Sequence, residues 1–348
     1  MLRKKFISCI LILTFFFAAT YPAGYLYAGD RPVENAVARG IAYLKKVQND
    51  DGGFPYKVGG KSDPRTTAWV IIGLSAAGED VKKSKWKKKG GTPLDYLYKH
   101  GGQLKSTTDY ARTLLALSAA GASPVYRGEN LAYKIKSWQQ PNGQFARIDK
   151  GEKGLINAHV WSVLALASAG IKVPNAAKAR KWLLDRQNPD GSFGWAEGIQ
   201  GDSDDTAAAL QALIVLGEKP NSKAVKRALL YLKSCQQKDG GFSGGWAIRE
   251  ANACSDAWVI QGLIAAKQNY KGQTWTVNKK NAVVHLLSLQ DRSGGFKWTK
   301  NSRKASVIST AYAIQALSEK PFPLKRKVVA AGKTKKVKIG LIFNKIKI

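Results

Sequence analysis

The chain runs to 348 residues with 44% hydrophobic content, 56 lysines and arginines against 24 acidic residues, and a formal charge of +32. That composition excludes a disordered or low-complexity chain and a small disulfide-stapled one, and it is ample for one large core or two small ones. The positive excess favours anionic surfaces, such as an anionic membrane surface or a cell-wall polymer, through a field that salt screens.

The N-terminus opens with Arg3, Lys4 and Lys5, continues through an apolar stretch from Phe6 to Ala19, and reaches a small residue at Ala28. This order predicts a secretory signal peptide over residues 1–28, cut after Ala28, and hence an exported protein: extracellular, periplasmic or cell-surface. The apolar stretch is too short for a comfortable membrane span. Export makes nucleic acid a poor match for the basic charge. Cys9 leaves with that segment, so the mature chain keeps Cys235 and Cys254, which either pair as one disulfide or stay as two small buried thiols.

From residue 29 to residue 324, amphipathic and apolar segments alternate. The first kind covers Val33 to Gln48, Leu131 to Gln139, Ala176 to Gln187, Ser222 to Gln236 and Lys279 to Gln290, with apolar residues on one face and Lys or Arg on the other. These helices belong on the outside, facing water. Each runs into the pattern QxxDGxF or a near copy, at Gln48 to Phe54, Gln139 to Phe145, Gln187 to Phe193, Gln236 to Phe242 and Gln290 to Phe296. The second kind, at 66–78, 109–121, 158–170, 205–217, 255–267 and 309–320, is apolar nearly all round and belongs inside.

Six inner helices imply six hairpins with a unit of roughly 48 residues. The hairpin between Pro93 and Gly121 lacks the motif and carries Gly101-Gly102-Gln103-Leu104 in its place. Period alone allows an open solenoid or a closed ring. Lys82 to Lys89 read as a solvated surface, and the basic tail 325–348 includes Lys336-Val337-Lys338-Ile339, which suits a short strand or disorder.

The QxxDGxF copies followed by apolar helices resemble the QW repeats of squalene and oxidosqualene cyclases and of protein prenyltransferase β subunits. The resemblance covers about residues 33 to 320. It implies an all-α fold, a single (α/α)6 toroid of six helical hairpins with the inner helices around a central cavity. The motif itself reads as structural: Asp or Asn before Gly suits a tight turn, and Gln and Phe brace adjacent hairpins.

The starts of the inner helices can be compared position by position. The fourth reads Asp202-Ser203-Asp204-Asp205-Thr206-Ala207, where the fifth has Asn252-Ala253-Cys254-Ser255-Asp256-Ala257 and the sixth Ser306-Val307-Ile308-Ser309-Thr310-Ala311. One Asp or Ser there is ordinary N-capping, a role that fits Asp109, Asp205 and Ser309. Three carboxylates within four residues exceed what capping requires, and their repulsion should keep at least one protonated near neutral pH.

DSDDTA is similar to the DxDDTA signature of class II terpene cyclases, including squalene–hopene cyclases, whose central aspartate protonates an alkene or epoxide to start cation cyclisation. The resemblance implies Asp204 as proton donor, with Asp202 and Asp205 tuning and orienting it. His159 is either a partner of Asp204 or an isolated helix-start histidine. Trp69, Trp161, Trp258 and Tyr312, each just after the shared Ala, either line a cavity that shelters carbocations or simply pack. The expected ligand is an isoprenoid or another apolar small molecule, with no cofactor. The positions matching the prenyltransferase zinc ligands read Asn252-Ala253-Cys254 and Ser309, which does not make a zinc site. Squalene-type cyclases use two helical domains where this chain has one. The alternative reading is therefore a non-catalytic exported binding module for a small ligand, cobalamin-carrier-like, or for a protein partner on the same toroid.

Overall fold

The computed structural model describes residues 31–246 and 248–324. The signal peptide read over 1–28, Cys9, and the tail from 325 with its Lys336 to Ile339 alternation lie outside the described residues. Among the described residues twelve α-helices form six hairpins. The outer members are α1 (Arg31–Val47), α3 (Pro93–His100), α5 (Leu131–Ser137), α7 (Ala176–Leu184), α9 (Lys223–Ser234) and α11 (Ala282–Ser288). The inner members are α2 (Pro64–Ala76), α4 (Thr107–Ala119), α6 (Ile156–Ser168), α8 (Ser203–Val215), α10 (Ala253–Ala265) and α12 (Val307–Leu317). Two short antiparallel ribbons complete the chain, β1 (Val125–Tyr126) with β2 (Glu129–Asn130) and β3 (Phe296–Lys297) with β4 (Ala305–Ser306).

Each inner helix packs on the next, and α12 packs back on α2, so the ring is closed rather than an open solenoid. Contact on several sides is why these helices are apolar nearly all round. The closing seam is tight: a Cβ on Gly73 would stand 2.4 Å from the carbonyl oxygen of Ala311, so only glycine fits there. The N-terminal outer helix α1 packs against α12, in the place that α3 takes on α2 and α11 takes on α10.

The repeated glutamine is the brace between hairpins. Gln187 Nε2 donates to Gly191 O at 2.9 Å within its own turn and to Ala224 O at 2.8 Å in the next hairpin. Gln236 repeats this toward Gly240 O and Trp275 O, and Gln290 toward Gly294 O and Ala36 O. The turn glycine has positive φ, +92° at Gly191, where a Cβ would also meet Arg227 O at 2.4 Å. The motif phenylalanines Phe54, Phe145, Phe193, Phe242 and Phe296 are fully buried. Each offers its backbone N–H to the fourth residue of the following inner helix: Thr67, His159, Thr206, Asp256 or Thr310.

The hairpin without the motif is stitched differently. Buried Glu152, from the loop before α6, accepts Thr107 N at 2.8 Å and Arg147 N at 2.9 Å, tying down the start of α4. The inner helices also begin two residues earlier than their apolar pattern suggests. Polar caps begin five of the six: Asp63, Ser106, Asp202, Asn252 and Ser306 are the N-caps, each accepting a backbone N–H two or three residues on, while α6 starts after Leu155 without a side-chain cap. Asp109, Asp205 and Ser309 are therefore third residues of their helices and not caps. Asp109 instead completes a capping box by accepting Ser106 N.

Candidate functional site

The inner helices all begin at one end of the ring, and their second residues (Arg65, Thr108, Asn157, Asp204, Cys254 and Ile308) keep some exposure on otherwise buried helices. They face the mouth of the lumen. One turn deeper stand the sixth residues, Trp69, Arg112, Trp161, Ala208, Trp258 and Tyr312. Four of these are the aromatics singled out by the repeat alignment, and they pack on one another. The Trp69 ring centroid lies 5.5, 5.8 and 5.2 Å from those of Trp161, Trp258 and Tyr312, each edge-on. Trp69 projects from the helix opposite α8, whose corresponding residue is the small Ala208.

These rings fill the middle of the ring. Phe322, from the segment after α12, closes the cluster from the far side at 6.2 Å from both Trp161 and Trp258. It is anchored there by Phe322 N donating to Gln211 Oε1 at 2.9 Å. Above the cluster two cavities open at the mouth. One of about 540 Å³ is floored by Trp69 and Tyr312 and walled by Arg65, Arg112, Tyr56 and Ile308. The other, of about 600 Å³, runs from Tyr56, Lys57 and Trp298 down to Cys254 and Ser309. Trp69 and Tyr312 thus line open space, while Trp161 and Trp258 serve as packing beneath it.

The acidic run sits at the wall of this mouth. Asp202 caps α8, its Oδ1 accepting Asp205 N at 2.7 Å. Asp204, at the second position, has Oδ1 3.0 Å from Ser203 Oγ, which also donates to Ser243 O at 2.8 Å. Burial pushes the Asp204 carboxyl up to about 6; the neighbouring charges of Asp202 and Asp256 add to the rise, and hydrogen bonds from Ser255 and Ser203 oppose it. Burial likewise raises Asp202 and, further, Asp205, whose carboxyl also feels Asp202 and Asp204. Asp202 and Asp205 hydrogen-bond each other, and a proton on Asp205 satisfies both. The three carboxyls therefore divide into a hydrogen-bonded pair, Asp202 and Asp205, and a separate carboxyl, Asp204.

Cys254 and Tyr312, which line the two cavities, both feel the Asp204 charge: burial and then Asp204 push the Cys254 thiol up to about 12, while burial, then Cys254 and then Asp204 raise the Tyr312 phenol. Neither cavity is lined by Asp204 itself, so the acid stands beside them at the wall. Cys235 and Cys254 are free thiols. Cys254 Sγ instead meets Ser309 Oγ at 3.7 Å, and Asn252 is occupied in capping α10. Among the described residues no group of three or more His, Cys, Asp or Glu is arranged to hold a metal ion.

His159 is not the partner of Asp204. It is the fourth residue of α6, where three other repeats carry Thr, and its Nδ1 accepts Phe145 N at 3.2 Å. The ring is fully buried against Trp182, with centroids 4.7 Å apart, and burial drives its pKa down to about 3. A neutral imidazole facing outward between hairpins replaces a threonine hydroxyl. The same position in α10 holds Asp256, which accepts Phe242 N at 2.7 Å and pairs with His285 Nδ1 at 2.6 Å. Sequence reasoning missed Ser203 and Ser255 as the immediate neighbours of Asp204; the only signal was that they sit at the variable position of the acidic motif and at the matching start of the next inner helix.

Known proteins supply the remaining context. Residues 38–108 and 254–321 match the prenyltransferase alpha-alpha toroid domain. Drimenyl diphosphate synthase of Streptantibioticus cattleyicolor is 30% identical over 246 residues, covering 65% of this chain and 45% of that protein. Squalene–hopene cyclase of Zymomonas mobilis is 30% identical over 156 residues, covering 41% of this chain and 22% of that protein. The chain thus spans less than half the length of these curated relatives. Among solved structures, a type II terpene cyclase from Scytonema in complex with geranylgeranyl dihydroxybenzoate superposes with a TM-score of 0.58 at 16% identity, covering 84% of this chain and 99% of that one. That likeness concerns the fold. Ring closure, the repeated motif and these matches together make the chain similar to the squalene cyclase and prenyltransferase α/α-toroid repeat proteins.

Proposed function

We propose that this protein is an exported class II terpene cyclase that starts cyclisation of an isoprenoid by protonating it from Asp204. The observation that carries the reading is the state of Asp204: a carboxyl raised to about 6 at the mouth of the ring, close to the cavity floored by Trp69 and Tyr312 and next to Asp202 and Asp205 in the same run. A buried acid of this kind can keep its proton at pH values where an ordinary carboxyl has lost it. The relatives named for drimenyl diphosphate and hopene, and the neighbour bound to geranylgeranyl dihydroxybenzoate, favour an isoprenoid chain as the substrate class. Export rests on the charged and apolar pattern of the N-terminus.

The chemistry is an isomerisation. A proton passes from Asp204 to the terminal alkene carbon, leaving a tertiary cation; successive double bonds attack it to close rings, and loss of a proton from the final cation ends the sequence. Asp204 becomes a carboxylate, the proton lost from the final cation passes to solvent water, and Asp204 is reprotonated from solvent. The faces of Trp69 and Tyr312, which floor the mouth cavity, stabilise positive charge there. Purified protein and its Asp204→Asn variant, incubated with squalene and a series of oligoprenyl diphosphates, test this. Cyclic product from the wild type and none from the variant supports the reading; no product from either across the series contradicts it.

A second reading, a non-catalytic binding module, is favoured by the mutual packing of Trp69, Trp161, Trp258 and Phe322, which occupies the centre of the ring. A small apolar ligand retained through purification, together with no turnover, would mark that outcome.

A further inference from the structure

Among the described residues, six of ten exposed large apolar side chains stand at one end of the ring. Tyr56, Val58, Ile148, Trp195, Trp246 and Trp298 all stand on loops that join a motif to its inner helix, around the mouth. Charge is not spread evenly over these loops. Residues 55–62 and 297–305 carry Lys57, Lys61, Lys297, Lys300, Arg303 and Lys304 with no Asp or Glu, whereas the loop 194–201 has Glu197 as its one charged residue. Because α12 packs on α2, the two basic loops are neighbours across the closing seam. They flank the cavity of about 600 Å³ that runs between Tyr56 and Trp298 down to Cys254.

We propose that this sector of the rim, formed by residues 55–62 and 297–305, docks on an anionic phospholipid bilayer, with Tyr56, Val58 and Trp298 entering the headgroup layer and the surrounding lysines and arginine meeting lipid phosphates. Tyr56 is 66% exposed, Val58 53% and Trp298 42%, an arrangement that costs free energy in water and is relieved at a membrane surface. Lys57, Lys61, Lys300, Arg303 and Lys304 are exposed around them; Lys300 also pairs with Asp239 at 3.8 Å. Basic residues at such a surface attract anionic lipid, and beside the two loops Asp239, paired with Lys300, and Glu250, bonded to Asn301, offset only part of that attraction. A soluble polyanion would use the cations but gives no role to the aromatic cluster. The lysine run from Lys82 to Lys89 lies between α2 and α3, where its apolar neighbours Val81 and Trp86 are buried and Lys85 and Lys89 pair with Glu79 and Asp50, so it offers no apolar anchor and takes no part. Docking here would set the cavity mouth against the bilayer, where an apolar isoprenoid resides.

Hydrogen exchange on the full chain tests the proposal without substrate, so its result is independent of whether the protein is a cyclase. Vesicles of phosphatidylglycerol in phosphatidylcholine should slow exchange in residues 55–62 and 297–305 and leave 82–89 and 194–201 unchanged; phosphatidylcholine alone should do neither. The combined variant Lys57→Gln, Arg303→Gln, Lys304→Gln should weaken that protection, needing at least ~10-fold more anionic lipid for the same effect, given about fivefold per cation. Tyr56→Ser with Trp298→Ser should act in the same direction while thermal unfolding stays unchanged, since both side chains are exposed. Protection centred on 82–89, protection absent from both rim loops, or equal protection by soluble polyglutamate would overturn it.

Discussion

Gln290 Nε2 donates to the Ala36 carbonyl oxygen at 2.7 Å, joining the last motif turn to the first outer helix across 254 residues of chain. The same side chain bonds its own turn at Gly294 O, so one residue closes the ring in the way Gln187 and Gln236 link hairpins that are neighbours in sequence. Gln290→Ala removes both bonds and leaves two part-buried acceptors unpaired, at a cost of about 2–3 kcal/mol. Exchange of α1 amides should accelerate selectively in this variant and not in Gln187→Ala. Equal behaviour of α1 in the two would show that the seam is held by packing alone.

His159→Ala should destabilise by about 2–3 kcal/mol, because it orphans the buried Phe145 N–H and leaves a void beside Trp182. His159→Thr restores the acceptor found in three other repeats and should recover part of that loss in chemical denaturation. Neither change should move the pH dependence of any activity. A shifted profile would return His159 to the reaction and contradict its bracing role.

The Asp204 carboxyl has a pH signature of known sign. Its folded pKa of about 6 lies above the ordinary value of 3.8, so the folded state binds the proton more tightly than the unfolded chain and loses stability as pH rises between these two values. Above about 6 the folded protein holds a buried carboxylate, a penalty on the order of 1–2 kcal/mol after allowing for its partial exposure. Asp204→Asn should therefore raise the melting temperature at pH 8 and change it little at pH 4. An unchanged melting temperature at pH 8 would mean the carboxylate is solvated and ordinary.

Phe322→Ala should cost about 3–4 kcal/mol, since the ring fills space beneath Trp161 and Trp258. The same change should deepen the lumen and increase uptake of an apolar fluorescent probe. Denaturation and probe binding together check it; a loss of stability without extra uptake would mean that the tryptophans collapse into the void.

Much of the architecture was legible because inner helices must bury every side, and Trp69, Val70, Ile71 and Ile72 in a row leave no polar face. The glutamine brace was legible for the same reason that makes it repeat: five hairpins need the same bond. The helix starts were not, because Asp202 and Ser306 cap from outside the apolar run, so the pattern begins after the helix does. His159 misled because a histidine near carboxylates in sequence alignment carries no direction; on α6 it points outward to Phe145 and Trp182. The aromatic residues were found at the right positions, but whether four rings enclose a space or fill it depends on their χ angles and on Phe322, a residue beyond the repeats that no periodicity marks.

The central claim is that Asp204 gives its proton to carbon. Reaction of an accepted oligoprenyl substrate in deuterium oxide, followed by mass spectrometry of the cyclic product, reads that step directly. The account predicts one deuterium added per initiation, with kcat/KM falling tenfold per pH unit above about 6, and no labelled product from Asp204→Asn. Cyclic product from Asp204→Asn at the wild-type rate, or product without deuterium, would contradict it.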